Sequence, residues 1–549
     1  MPKTGNEKLI EQLMADGCYY MFGNPGTVEQ GFLDAMGKYI QFHYITCLQE
    51  SIAVAMADGY ARKTGEPAIV QLHSGVGLGN GIGMIYQAMR GHSPLVILAG
   101  EAGIKYDSMD AQMACDLVSM ARPVTKWSGR VVHKDSILRM LRRAVKIAIT
   151  PPMGPVFLAL PLDILSEVNT EPVYPSCRID TKVIPESRII EETAKILLEA
   201  AAPQFIIGDG ISASGGSLLL TEAAELLGAQ VYGADSSSVN CDRSSYLYQG
   251  ELGHMFGTDS CKHVNSADVI FIAGTYVFPE VFPCLENPFR EDAKIIHVDI
   301  NTYEIGKNFH TDIGIAADPS QFLEKLISII KENQTDKQKS AADKRKKELK
   351  HKKECEIANW KPHGIFDKFC SALKEISGGN IIIFDEALTS SDILNHHFRY
   401  CKPGTYFQTR GGSLGVGIPG AMGIKLARPD QTVAAFTGDG GSLYTIQALQ
   451  TAARYNIGAK FIIINNGSYR LLKNNIDVYW TEENITPHEY PGCFTLQPQV
   501  NFTKLSESMG VKARCLTDIC DIRETAKWLL SDNEPALLEI NTNEIAKKD

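Results

Sequence analysis

The sequence predicts an α/β protein of three doubly wound parallel-sheet domains, and three observations carry that prediction. Short continuous apolar runs recur along the 549 residues, as expected of strands buried on both faces of a parallel sheet. Segments with apolar residues at helical spacing lie between them. A Pro-containing stretch at 171–185 and a Lys-rich stretch at 331–353 divide the pattern into blocks.

The first block spans residues 1–170. Its apolar runs at 68–72, 94–99 and 154–160 read as strands, and Ile45-Thr46-Cys47-Leu48-Gln49-Glu50 reads as a strand end before an Ala-rich helix over 51–62. The second block, 186–332, has strands at 204–207, 230–232, 269–273 and 294–298. Within it, Gly208-Asp209-Gly210 follows the apolar run 205–207 and reads as a structural turn. Residues 333–357 form a basic linker, read as a polyanion-binding arm or as a solvated helix; interspersed Asp and Glu favour the helix. The third block, 358–549, places strands at 431–437 and 460–464 around a helix from 442 to about 455.

Composition narrows the function classes. A hydrophobic fraction of 44% with 21% charged residues is that of an ordinary globular enzyme, and a net charge of −10 argues against a general nucleic-acid surface. No apolar stretch reaches the length of a membrane span, and no signal-peptide core follows Met1, so the expected compartment is the cytoplasm. The 13 cysteines contain no CxxC pair, and only Cys515 and Cys520 are close in sequence. They read as separate thiols in a reducing environment rather than a structural zinc site.

Chemistry concentrates at two predicted strand ends in the third block. Gly438-Asp439-Gly440-Gly441-Ser442 follows the 431–437 run, and Asn465-Asn466 closes the next. Open α/β sheets bind ligands at these carboxyl ends, where glycines expose N–H groups and a helix N-terminus favours an anion. The Asp439 carboxylate, the Asn466 amide oxygen and a backbone carbonyl just beyond are hard oxygen ligands suited to Mg²⁺ and a diphosphate. The plain alternative is a βαβ unit with a glycine turn. Gly208-Asp209-Gly210 serves as an internal comparison, because no Asn-Asn pair follows it at a comparable distance.

The interval of 24 residues between the two motifs, 441–464, resembles the signature of thiamine-diphosphate enzymes. The resemblance extends over essentially the whole chain and is closest to benzoylformate decarboxylase-like 2-oxo acid decarboxylases, with some acetohydroxyacid synthase-like features. It implies a pyrimidine-binding N-terminal domain, a middle Rossmann-like domain and a diphosphate-binding C-terminal domain. It further implies that Asp439, Asn466 and the Ser468 carbonyl hold Mg²⁺, with Gly438, Gly440, Gly441, Ser442 and Thr389 around the diphosphate. By the same resemblance Glu50 protonates the aminopyrimidine ring, and Gly412 and Leu414, in Gly411-Gly412-Ser413-Leu414-Gly415, bend the cofactor.

Substrate positions follow from Phe22-Gly23-Asn24-Pro25-Gly26-Thr27 and Leu72-His73-Ser74-Gly75, which are similar to the decarboxylases' carboxylate loop and proton-transfer histidine. Thr27 and His73 are thereby expected to be catalytic, and Asn24, Pro25, Gly26, Met113, Leu471 and Leu472 to line the pocket. Two departures bear on the reaction. Residues 276–283 contain no counterpart of the decarboxylases' second histidine, and Leu472 stands where pyruvate-decarboxylase-like enzymes carry a glutamate. The expected activity is non-oxidative decarboxylation of a 2-oxo acid to an aldehyde; the alternatives are a carboligase of the acetolactate synthase type, an acyl-CoA lyase, or a non-catalytic member that keeps the fold. The implied partners are a small-molecule substrate, no nucleic acid, no membrane, and a second copy of the chain, as a homodimer or homotetramer with active sites at the subunit interface. The implied cofactors are thiamine diphosphate and Mg²⁺; FAD is possible but not favoured.

Overall fold

The computed structural model describes residues 2–234, 236–362 and 364–542. They form two compact units, a first unit made of Met1–Ile179, His363–His397 and Thr409–Asp549 and a middle unit made of Asp180–Pro362 and Phe398–Gln408. Three six-stranded sheets run through them.

The first sheet contains β1 (Tyr20–Gly23), β2 (His43–Thr46), β3 (Ala68–His73), β4 (Leu95–Glu101), β5 (Trp127–Arg130) and β6 (Val156–Pro161). Its order is β2-β1-β3-β4-β6-β5, with every pairing parallel. The middle sheet contains β7 (Pro203–Ile207), β8 (Gln230–Gly233), β9 (Tyr248–Glu251), β10 (Val269–Ala273), β11 (Lys294–Asp299) and β12 (Ile313–Ala316), ordered β12-β11-β10-β7-β8-β9. Read from β9, this is the 3-2-1-4-5-6 order of dinucleotide-binding sheets. The third sheet contains β13 (Ile382–Glu386), β14 (Tyr406–Gln408), β15 (Val433–Gly438), β16 (Lys460–Asn465), β17 (Lys512–Leu516) and β18 (Ala536–Asn541), ordered β14-β13-β15-β16-β18-β17. Renumbered from one, this is the order of the first sheet.

The apolar runs of the sequence become the inner strands. Phe461, Ile462 and Ile463 of β16 are fully buried, each contributing roughly 1.5–3 kcal/mol relative to an exposed side chain. Order reverses between β1 and β3 in the first sheet and between β13 and β15 in the third. Such reversals open a crevice at the carboxyl ends of the strands.

One expected element differs. The helix expected over 442–455 is broken into Asp439–Ser442 and Ala448–Arg454. The Thr445 hydroxyl donates to Gly415 O at 2.6 Å instead of facing along a helix, and a β-carbon on Gly415 would come within 2.6 Å of Tyr444 Cβ. Tertiary contact overrides the helical spacing there. The Lys-rich stretch forms the helix Asp336–Asn359, anchored on the middle unit by buried Ala342 and Leu349 and by Arg345, which donates to Leu227 O.

Within the first unit, the helix Glu50–Thr64 lies directly on the helix Gly417–Ala427. A β-carbon on Gly59 would fall 2.1 Å from Gly420 O, and one on Gly423 would fall 1.9 Å from Met56 O. Only glycine permits that backbone contact. Among the described residues, no helix is long and apolar enough to cross a membrane.

Candidate active site

Two clusters of polar side chains form at the carboxyl ends of the first and third sheets. In the first, β2 leads into the helix Glu50–Thr64, capped by Gln49, whose side-chain oxygen accepts the Ser51 N–H at 2.6 Å. This sets Glu50 at the start of the helix with its side chain buried. Its Oε1 accepts from Asn24 Nδ2 at 3.2 Å and its Oε2 from Asn80 Nδ2 at 3.0 Å. Asn24 therefore serves the carboxylate of Glu50.

His73 ends β3 and precedes the helix Ser74–Arg90. Its Nδ1 lies 3.0 Å from Glu29 Oε2. Glu29 is buried, and its carboxylate also accepts the N–H of Gly26 at 3.0 Å and of Gly100 at 3.2 Å. Burial pushes the Glu29 carboxyl upward, against the downward pull of the hydrogen bond with His73. Gly26 must be glycine, because a β-carbon would fall 2.1 Å from His73 Nδ1. Thr27 and Pro25 are exposed on the same loop. Ser74, held in the left-handed region at φ 49°, donates through Oγ to Met113 O at 3.0 Å and so ties the half-buried Met113 to the end of β3.

In the third sheet, Asp439 follows β15 and is buried at 5% exposure. Its Oδ1 accepts the Gly440 N–H at 2.9 Å, and its Oδ2 accepts the Gly467 N–H at 2.7 Å, joining the ends of β15 and β16. Burial nevertheless raises its carboxyl above the ordinary range. Asn466 Oδ1 accepts from Ser468 N at 2.9 Å, while the Ser468 carbonyl accepts from Arg470 N at 3.0 Å and keeps a second lone pair. A β-carbon on Gly438 or Gly412 would meet nothing within 4 Å, so both glycines border open space. Asp439, Asn466 and the Ser468 carbonyl form a hard oxygen donor set of the kind that suits Mg²⁺ and a diphosphate. Among the described residues, no group of three or more His, Cys, Asp or Glu side chains is placed to hold a metal.

The Gly411–Gly415 turn is suspended between the helix Ser74–Arg90 and a buried acid. Gly411 N–H donates to Gln87 Oε1, and Ser413 Oγ donates to Gly83 O at 3.2 Å. Glu386, at the end of β13, accepts the N–H groups of Gly415 and of Gly417, the latter at 2.7 Å, and the Thr437 hydroxyl at 3.2 Å. Gly412 takes φ 74° and Leu414 is half-buried beside it. Thr389 lies in the turn Leu388–Ser390, after Leu388 with φ 49°, a strained backbone for a branched residue. Leu471 and the exposed Leu472 stand on the helix Arg470–Glu482.

Glu29 and Glu386 escaped the sequence reading. The available signals were an acid three residues beyond Gly26, and the acids Asp385 and Glu386 ending an apolar run. In the middle sheet, Gly208-Asp209-Gly210 is packed shut: the Asp209 carboxylate accepts the N–H groups of Ser237 and Ser238, each at 3.1 Å, and a β-carbon on Gly210 would fall 2.6 Å from Gly274 Cα.

Comparison with known proteins matches this architecture. Family models for the thiamine pyrophosphate enzyme match in chain order: the N-terminal TPP binding domain over residues 3–120, the central domain over 190–326 and the C-terminal TPP binding domain over 389–540. A probable acetolactate synthase large subunit of Methanocaldococcus jannaschii is 30% identical, over 98% of this chain and 91% of its own length. The benzoylformate decarboxylase of Pseudomonas aeruginosa is 27% identical over 99% of both. Among solved structures, the thiamine diphosphate-dependent 4-hydroxybenzoylformate decarboxylase of Rhodococcus jostii RHA1 superposes with a TM-score of 0.86 at 26% identity, covering 98% of this chain and 99% of that one. With strand ends, glycine turns and matched domains in agreement, the chain belongs to the thiamine pyrophosphate enzyme family.

Proposed function

We propose that this protein decarboxylates a 2-oxo acid without oxidation, releasing CO₂ and the corresponding aldehyde, with thiamine diphosphate and Mg²⁺ bound. Bound thiamine diphosphate supplies the electron sink that lets the bond to the substrate carboxylate break. Asp439, Asn466 and the Ser468 carbonyl hold Mg²⁺, and Gly438, Gly440, Gly441, Ser442 and Thr389 surround the diphosphate. Glu50, buried between the amides of Asn24 and Asn80, shares a proton with the aminopyrimidine ring. Gly412 and Leu414, on the turn held by Glu386 and Gln87, would contact the cofactor. Thr27 orients the substrate carboxylate, and Pro25, Gly26, Met113, Leu471 and Leu472 favour an apolar side chain.

The observation that carries the reading is the contact of His73 with Glu29 beside the Gly26-Thr27 turn. Loss of CO₂ leaves a carbon that must take up a proton, and an imidazole oriented by a buried carboxylate is a side chain suited to deliver one. A panel of aliphatic and aromatic 2-oxo acids tests the proposal, with CO₂ and aldehyde measured together. Equal amounts of both, without a second carbonyl compound, are expected.

A carboligase is the second reading. It is favoured by residues 276–283, which contain no second histidine, and by the likeness to acetolactate synthases. Consumption of the 2-oxo acid only when an aldehyde or second 2-oxo acid is added would establish it instead. In both readings we place the active site between two copies of the chain, Glu50 of one serving the metal-diphosphate residues of the other.

A further inference from the structure

The middle unit brings together two thiols that are far apart in sequence. Cys261 lies on the helix Gly257–Val264 and Cys284 on the connection between β10 and β11; Cys261 Sγ donates to Cys284 Sγ at 3.3 Å. Backbone pairing fixes the two segments independently of the thiols. Val281 and Phe282 donate N–H to His254 O and Met255 O at 3.1 and 2.9 Å, and Gly257 returns one to Phe282 O at 2.9 Å. The Phe256 and Phe282 rings stack with centroids 5.5 Å apart. A β-carbon on Gly257 would fall 2.3 Å from Cys284 N, so the second segment runs directly against the start of the helix. Both cysteines are partly exposed, and all thirteen in the chain are free thiols. Closing a bridge requires the sulfurs to approach from 3.3 Å to about 2.05 Å.

We propose that Cys261 and Cys284 are a thiol–disulfide site, closed to an intramolecular bridge by a small-molecule disulfide such as oxidised glutathione. The Cys284 thiolate attacks one sulfur of that disulfide, forming a mixed disulfide and expelling one thiolate. Cys261 then loses its proton and attacks Cys284 Sγ, expelling the second. Two protein thiols give up two electrons and two protons, and one small disulfide becomes two thiols. Cys261 Sγ donates to Cys284 Sγ, and burial and that contact push the Cys261 thiol up to about 11. With Cys261 directed at Cys284 Sγ, Cys284 is assigned the first attack and Cys261 the resolving one. The bridge would lock the segment after β10, at the carboxyl edge of the middle sheet, onto the helix Gly257–Val264.

The full-length protein, first reduced and then equilibrated with mixtures of oxidised and reduced glutathione, is alkylated, digested and weighed. A peptide pair joined through Cys261 and Cys284, lighter by two hydrogens than its parts and separated again by dithiothreitol, is expected. C261S should retain glutathione on Cys284, and C284S should form no bridge. The proposal is overturned if both wild-type thiols stay alkylatable in the most oxidising mixture, or if glutathione persists on wild-type Cys284 without a bridge.

Discussion

Glu29 Oε2 and His73 Nδ1 lie 3.0 Å apart, and the carboxylate that orients the imidazole is itself held by the N–H groups of Gly26 and Gly100. The ring nitrogen that bonds Glu29 is thereby committed, leaving Nε2 for proton transfer. Glu29→Gln keeps the size of the side chain and removes its charge, so kcat/KM for 2-oxo acid decarboxylation is expected to fall about 10²-fold, within the range of general acid–base contributions. Thiamine diphosphate affinity, measured by fluorescence quenching, should be unchanged. Equal activity of Glu29→Gln and wild type would show that the contact with Glu29 does not position His73 for the reaction.

A site shared between chains makes a separate prediction. On the proposed roles, Glu50→Gln and Asp439→Ala should each abolish turnover, one by removing the proposed ring-protonating acid and the other by removing a proposed metal ligand. If the acid of one copy serves the metal of the other, a hybrid dimer contains one site with both defects and one with neither. Unfolding and refolding the variants together should restore a substantial fraction of wild-type activity. If both groups act within one chain, the mixture stays inactive.

Gly423 and Gly83 test the backbone contact of the helices Glu50–Thr64 and Gly417–Ala427. A β-carbon on Gly423 would fall 1.9 Å from Met56 O, whereas one on Gly83 would meet nothing within 4 Å. Gly423→Ala is expected to destabilise the first unit by about 1–3 kcal/mol through overpacking. Gly83→Ala, within the helix Ser74–Arg90, should be neutral or slightly stabilising. Thermal unfolding of the two variants side by side measures the difference.

The strand ends were legible in the sequence for a physical reason. A parallel strand buried on both faces is a continuous apolar run, and the residues that follow it at the carboxyl end are the glycines and polar groups that a ligand meets. Asp439, Asn466, Glu50 and His73 all sit at such ends. Glu29 and Glu386 were not legible, because their partners His73, Gly100, Gly415 and Thr437 come from other segments and no local spacing encodes the contacts. The same holds for Cys261 and Cys284, brought together by pairing of the 254–257 and 281–282 backbones. At 443–447 local spacing misled, since the contacts of Tyr444 and Thr445 with Gly415 interrupt a helix that the apolar period favours.

His297 makes the middle unit sensitive to acid. Its Nε2 donates to Thr275 O at 2.8 Å while its Nδ1 accepts the Gly306 N–H at 3.3 Å, an arrangement only the neutral ring can hold. Burial lowers the imidazole from 6.5 to about 4. Between these values the unfolded chain binds a proton that the folded chain does not, so stability rises with pH across the window and is lost as pH falls from about 6.5 to about 4. The shift corresponds to about 3 kcal/mol, at about 1.4 kcal/mol per pH unit. Burial pushes the nearby Asp299 carboxyl up to about 7, which slopes stability the opposite way over the same window. Urea unfolding at a series of pH values, followed by a probe placed in the middle unit, should therefore show the His297 contribution as the difference between wild type and His297→Asn. The variant should lose stability relative to wild type progressively as pH rises from about 4 to 6.5; a difference between the two that does not change with pH would assign the acid sensitivity to another group.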